Sequence, residues 1–177
     1  AVDAAQRERL DVPRRLLERL ARRALRRGLA RLEMAGGLVQ AQPRLGPLAH
    51  EQDTGPEIWR QMDGQMDAIV FGCGSSGTMT GLSRFFAKAA PHVELILADP
   101  VGSILTQYIN EGVLSTKSGS WLVEGIGEDF LPSISDFTRV KKGYAISEKE
   151  SFLAGRELLM KEGVLGGSST GTLLSAA

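Results

Sequence analysis

The densest run of potential chemistry in the chain is Gly72-Cys73-Gly74-Ser75-Ser76-Gly77-Thr78-Met79-Thr80-Gly81, in which glycines are interspersed with hydroxyls. Glycine lets a backbone approach an anion without Cβ obstruction, and hydroxyls donate to it. A helix starting within the run would point its first amides outward, unpaired and with the positive end of the dipole behind them. The chemistry predicted is the cradling of a phosphate. Gly72-x-Gly74-x-x-Gly77 also satisfies the dinucleotide fingerprint, and Asp99, 22 residues after Gly77, stands where a ribose-binding acid would. Against NAD are Ser75, Ser76, Thr78 and Thr80, donors that a pyrophosphate approached by bare backbone does not need but a terminal phosphate uses well. A tight turn with no ligand is the bland alternative, and it leaves the hydroxyls unexplained. A second run, Gly166-Gly167-Ser168-Ser169-Thr170-Gly171, repeats the chemistry near the end of the chain.

These runs need elements to hold them. Ala68-Ile69-Val70-Phe71 reads as part of a buried parallel strand over 67–73, followed by the glycine turn and a helix from about Thr78 to Ala89. Val93-Glu94-Leu95-Ile96-Leu97-Ala98 reads as the next strand, ending at Asp99-Pro100. Strand, helix, strand with short connections is a βαβ unit and predicts a parallel sheet. Thr54-Gly55-Pro56-Glu57-Ile58-Trp59 reads as a helix start capped by the Thr54 hydroxyl. A further helix is expected over 148–162, ending at Gly163. Val164-Leu165 would then lead into a strand-to-helix junction, with Gly171 opening the last helix. In a parallel sheet such junctions gather at the strands' carboxyl ends, where ligands bind, so the two runs would face one crevice.

The chain has 177 residues, 42% hydrophobic and 24% charged, with a formal net charge of zero, as for one α/β domain. The zero conceals an asymmetry: residues 1–50 hold eleven arginines, no lysine and five acids, about +6, and residues 51–177 balance them at about −6. Residues 12–34 read as a basic amphipathic helix with Asp11 as N-cap, and 42–47 as a linker. No aromatic residues interleave the arginines to stack on bases, so nucleic acid is not expected as a partner. Neither a membrane span nor a secretory signal is read, and the expected location is the cytoplasm. Cys73, the single cysteine, reads as a buried structural thiol. His50 and His92 receive no role, no metal-ligand cluster is read, and Trp59 and Trp121 read as packing anchors.

With these residues in place the chain resembles the fold-type II pyridoxal-phosphate enzymes, the group that contains tryptophan synthase β, cysteine synthase and cystathionine β-synthase. Five segments carry the resemblance in order across 47–177. They are Thr54–Trp59, Gly74–Gly81, Asp99-Pro100-Val101-Gly102-Ser103-Ile104-Leu105, Val123-Glu124-Gly125-Ile126-Gly127-Glu128-Asp129-Phe130-Leu131-Pro132 and Gly166–Gly171. The Val-Glu-Gly-Ile-Gly-x-Asp-Phe pattern is more similar to cystathionine β-synthase than to cysteine synthase. The resemblance implies a three-layer α/β fold, a mainly parallel sheet with helices on both faces, present here in part. It implies pyridoxal 5′-phosphate as cofactor, with Gly74, Ser75, Ser76, Gly77 and Thr78 on its phosphate and Ser168 at its ring nitrogen. It further implies amino-acid substrates, a homodimer for the full-length protein, and the β-replacement that joins L-serine and L-homocysteine into L-cystathionine. Cysteine synthase activity on O-acetylserine and sulfide is the enzymatic alternative; a non-catalytic phosphate- or partner-binding remnant and an NAD-binding domain are the others.

The resemblance also implies a Schiff-base lysine ahead of the phosphate loop. The six lysines, Lys88, Lys117, Lys141, Lys142, Lys149 and Lys161, all follow it in polar settings, so no residue of this chain is assigned a catalytic role and the isolated chain is expected to be inactive. Residues 1–46 depart from the family pattern, with a composition that a frameshift or misjoined exon in a GC-rich gene would produce.

Overall fold

The computed structural model describes residues 45–177; the expected helix over 12–34 and the first part of the 42–47 linker lie outside the described residues. Three parallel strands, β1 (Ala68–Phe71), β2 (Glu94–Pro100) and β3 (Val140–Ile146), pair in the order β1-β2-β3. Register places Phe71 beside Leu97, and Leu97 beside Gly143. The central strand explains the continuous apolar run in the sequence, because Leu95, Leu97 and Ala98 are wholly buried. β1 is parallel as expected but less covered than expected: only Phe71 is buried, since β1 is an outer strand of the described sheet.

Helix α1 (Leu45–Ala49) runs into a π-helical turn (His50–Thr54) and then α2 (Gly55–Gln61). Two expectations fail here. Residues 45–47 are helical, with Pro47 buried, rather than linker. Thr54 is not a helix cap: its backbone is itself helical and its hydroxyl pairs with His50. A helix arriving from the N-terminal side leaves no free helix start for Thr54 to cap.

α3 (Gly77–Ala89) connects β1 to β2 and buries Met79, Leu82 and Phe86. Trp59 of α2 meets Phe86 edge to face, with centroids 6.1 Å apart, as an aromatic packing anchor does. α4 (Leu105–Glu111) follows β2 and is tied to β3 by Asn110, which donates to the Gly143 carbonyl and accepts from the Gly143 amide, both at 2.9 Å. The Arg139 guanidinium, just before β3, donates to the carbonyls of Ser83, Pro91 and Val93. α5 (Glu148–Glu162) starts at a capping box made by Ser147 and Glu150 and stops at Gly163 in the left-handed conformation. α6 (Ser168–Ala176) packs against α5 and touches all three strands. Gly166-Gly167 thus ends a helix-to-helix connection, not a strand-to-helix one, Ser168 begins α6, and Gly171 lies inside α6, pressed on the Ser151 carbonyl. Val164 and Leu165 form no strand because Leu165 stands in solvent, 82% exposed. The described residues form an α/β fold with a parallel sheet and helices around it.

Candidate functional site

The glycine run emerges from the carboxyl end of β1 and becomes the first turn of α3. Its pivot is Ser76, whose φ of 70° is left-handed, a conformation rare for a residue with a Cβ. Ser76 is the N-cap of α3 but caps nothing with its side chain. The first amides of α3 therefore have no side-chain partner at their own cap and open onto a cavity of about 150 Å³ lined by Gly72–Met79 and Gly125.

The close approach of the segment around Gly125 makes the cavity. A Cβ on Gly74 would sit 2.7 Å from the Gly125 carbonyl oxygen, so the loop can run here only as glycine. Trp121 pins that segment by donating from Nε1 to the Ile126 carbonyl at 3.0 Å, and Gly127 donates its amide to the Cys73 carbonyl at 2.9 Å. Ser75 and Thr78 expose their hydroxyls. Ser76 is 3% exposed and turns its Oγ to Cys73 Sγ, 3.4 Å away, so it offers the cavity backbone rather than hydroxyl. Burial pushes the Cys73 thiol up to about 11, with Asp99 and Glu128 adding to the rise, which makes it a structural thiol.

Ser168, at the first position of α6, is not among the lining residues, but its Oγ accepts from the Glu124 amide at 3.3 Å, and Glu124 adjoins Gly125. The two hydroxyl runs are thereby joined through one connecting segment. Asp99 is wholly buried and accepts from the Thr106 amide and hydroxyl, both at 3.0 Å. A carboxylate engaged under α4 in this way is not available to a ribose.

Two residues at the site were given no role of their own by the sequence. Glu128 lies beside Gly74 with its carboxyl raised above the ordinary range by burial and by Asp129 and Asp99. His50, given no role from sequence, is half-buried and bonded to Thr78 across 28 positions of sequence. All six lysines are exposed: Lys88 pairs with Glu51, Lys141 with Glu94 and Lys161 with Glu157. Among the described residues no cluster of His, Cys, Asp or Glu could hold a metal ion, and no helix is long and apolar enough to cross a membrane.

The donor set fits a phosphate ester: free amides at a helix start, two exposed hydroxyls and a backbone stripped of Cβ atoms where the ligand must approach. Comparison with known proteins agrees. The family described as pyridoxal-phosphate dependent enzyme matches residues 19–177, beginning within the arginine-rich stretch. Mouse cystathionine β-synthase is 39% identical over 140 residues, 79% of this chain and 25% of the relative. Cystathionine β-synthase of Saccharomyces cerevisiae is 35% identical over 151 residues, 81% of this chain and 29% of the relative. Cysteine synthase A of Escherichia coli K12 is 36% identical over 142 residues, 79% of this chain and 44% of the relative. The chain thus spans from a quarter to less than half of the length of these curated relatives. From its glycine- and hydroxyl-rich loop, its parallel sheet and these matches, the chain belongs to the pyridoxal-phosphate dependent enzyme family.

Proposed function

We propose that the loop Gly72–Met79 holds the phosphate of pyridoxal 5′-phosphate, and that the longer protein joins L-serine and L-homocysteine into L-cystathionine with loss of water. The observation that carries the reading is the uncapped start of α3 opening on the cavity. When bound, the cofactor supplies an electron sink for bonds to the amino-acid α-carbon.

The chain's own residues supply binding and orientation. The Gly77, Thr78 and Met79 amides and the Ser75 and Thr78 hydroxyls bind the phosphate, with Gly74 and the left-handed Ser76 shaping the turn. Ser168 would meet the ring nitrogen of the bound cofactor. The Glu124 amide occupies a lone pair of its oxygen, leaving the O–H to donate. A neutral hydroxyl there does not hold a proton on the ring, in keeping with β-replacement rather than deeper electron withdrawal. Gly125, with no atom within 4 Å of the place a Cβ would take, leaves room for an amino-acid substrate. The preference for cystathionine synthesis over cysteine synthesis rests on the Val123–Phe130 pattern. The longer protein is read as a cytoplasmic homodimer.

None of the six exposed lysines suits covalent attachment of the cofactor, so the 177-residue chain by itself binds without turnover. The test is to titrate the chain with pyridoxal 5′-phosphate, follow its melting temperature and absorbance, and assay both substrate pairs. Stabilisation without a dialysis-resistant visible band and without product is expected. Product from either pair, or a persistent band, would show a competent lysine and defeat the inactivity; no stabilisation would defeat the phosphate site.

A further inference from the structure

His50 touches two hydroxyls at once. Its Nδ1 lies 2.9 Å from Thr54 Oγ1, and its Nε2 lies 3.1 Å from Thr78 Oγ1 at the start of α3. Two local features produce this row. The π-helical turn His50–Thr54, a form found frequently at functional sites, sets the ring and Thr54 on one side of the helix, with the His50 carbonyl taken by the Gly55 amide. Gly81, one turn along α3 from Thr78, lets the histidine close in: a Cβ there would sit 2.5 Å from His50 Cβ.

A neutral imidazole has one donor nitrogen and one acceptor nitrogen, so the row has two states. With the proton on Nδ1, the ring donates to Thr54, and Thr78 must give its O–H to Nε2, leaving only lone pairs toward the cavity. With the proton on Nε2, Thr54 donates to Nδ1, the ring donates to Thr78 Oγ1, and the Thr78 O–H is free to donate elsewhere. A phosphate oxygen only accepts, and a charge-assisted hydrogen bond to it is the stronger kind.

We propose that His50 is a positioning residue of the phosphate cradle: as the Nε2–H tautomer it donates to Thr78 Oγ1 and so turns the Thr78 hydroxyl onto a bound phosphate. The inference rests on reading Gly72–Met79 as a phosphate site. Partial burial lowers the affinity of the ring for a second proton, so the neutral form, in which the choice of tautomer matters, prevails near pH 7. The neighbouring charges are Glu51, paired with Lys88 of α3 at 2.7 Å, and Asp53 on the same turn.

The test uses the full chain with ¹⁵N-labelled histidine, and inorganic phosphate and pyridoxal 5′-phosphate as separate probes. On saturation with either probe, the ¹⁵N spectrum of His50 is expected to show the Nε2–H tautomer. Dissociation constants should weaken roughly tenfold or more in His50→Ala and in Thr78→Val, the scale of one hydrogen bond to a charged group. The double variant should lose no more than either single one, because both remove the same interaction. His50→Gln, which keeps an amide donor near Nε2, and Thr78→Ser, which keeps the hydroxyl, should stay within about threefold of the parent, with circular dichroism melts confirming that each variant folds. Failure of the parent to bind either probe brings down the phosphate reading and this inference together. Binding that His50→Ala and Thr78→Val leave unchanged, or a His50 ring still protonated on Nδ1 in the complex, overturns the role of His50 and leaves the phosphate reading standing.

Discussion

The Asp99 carboxylate lies near the end of β2 with Oδ2 held by Thr106 and with Oδ1 buried and unpaired among the described residues. Burial raises its pKa above the ordinary 3.8. Its stabilising contribution is therefore complete below 3.8 and is lost as pH rises through the native value. His50 works in the opposite sense: burial lowers its native pKa, so its contribution is present above 6.5 and is lost as pH falls. Comparing variants separates the two. Urea unfolding at about pH 4 and about pH 8 should show Asp99→Asn losing less stability with rising pH than the parent; parallel profiles would refute the assignment. Cys73, 1% exposed and with its thiol pushed up to about 11, should react with an aromatic disulfide reagent only at the rate of unfolding. Fast labelling of the folded chain would contradict that placement. Cys73 could be recognised from sequence as structural, since a lone cysteine without a nearby base rarely acts as a nucleophile. The role of His50 could not be recognised, because its partner Thr78 is brought to it only by packing.

At the level of elements, the face of α3 that carries Gly77 and Gly81 sets how closely the 45–54 segment approaches. Gly81→Ala would force its new methyl into His50 and the Pro47 carbonyl. It should cost about 1–3 kcal/mol, as overpacking does, and it should weaken phosphate binding by separating His50 from Thr78. Denaturant melts and a phosphate titration check both, and an unchanged midpoint would show that the segment yields without cost. α3, β2 and α5 were legible because each carries its own signals: a glycine turn, an unbroken apolar run, and a helical stretch stopped by a terminal glycine. β3 and α4 were not. β3 buries only Val140, Gly143 and Ile146, a spacing of three that matches no strand alternation, while Lys141 reaches Glu94 and Lys142 lies over the Tyr144 ring. α4 has seven residues and one buried side chain, too little for a helical period to emerge.

For the whole molecule, binding at the phosphate loop should appear as stability. Pyridoxal 5′-phosphate at a hundredfold excess over its dissociation constant should add about 2.7 kcal/mol to unfolding, and inorganic phosphate should produce a similar effect at its own hundredfold excess. Stabilisation by the cofactor but not by phosphate would place the binding determinants on the ring rather than in Gly72–Met79. The core divides into a cluster around Phe71, Met79, Leu95 and Leu105 and another around Leu82, Phe86 and Val93, and the loop sits at the edge of the first. A ligand that orders the loop therefore acts on the same packing that holds β1 to β2.

What the sequence determined by itself was chemistry confined to short stretches: a glycine- and hydroxyl-rich turn between a strand and a helix, the family those turns resemble, and the polar settings of the lysines. Such features are local because glycine conformation, hydroxyl donors and helix starts depend on residues a few positions apart. Tertiary structure decided the rest. It turned the Ser76 hydroxyl inward, set Ser168 at the head of a helix that follows a helix, engaged Asp99 with Thr106, and brought His50 to Thr78. Each outcome depends on which distant backbone arrives at van der Waals contact, and no spacing within a single stretch encodes that.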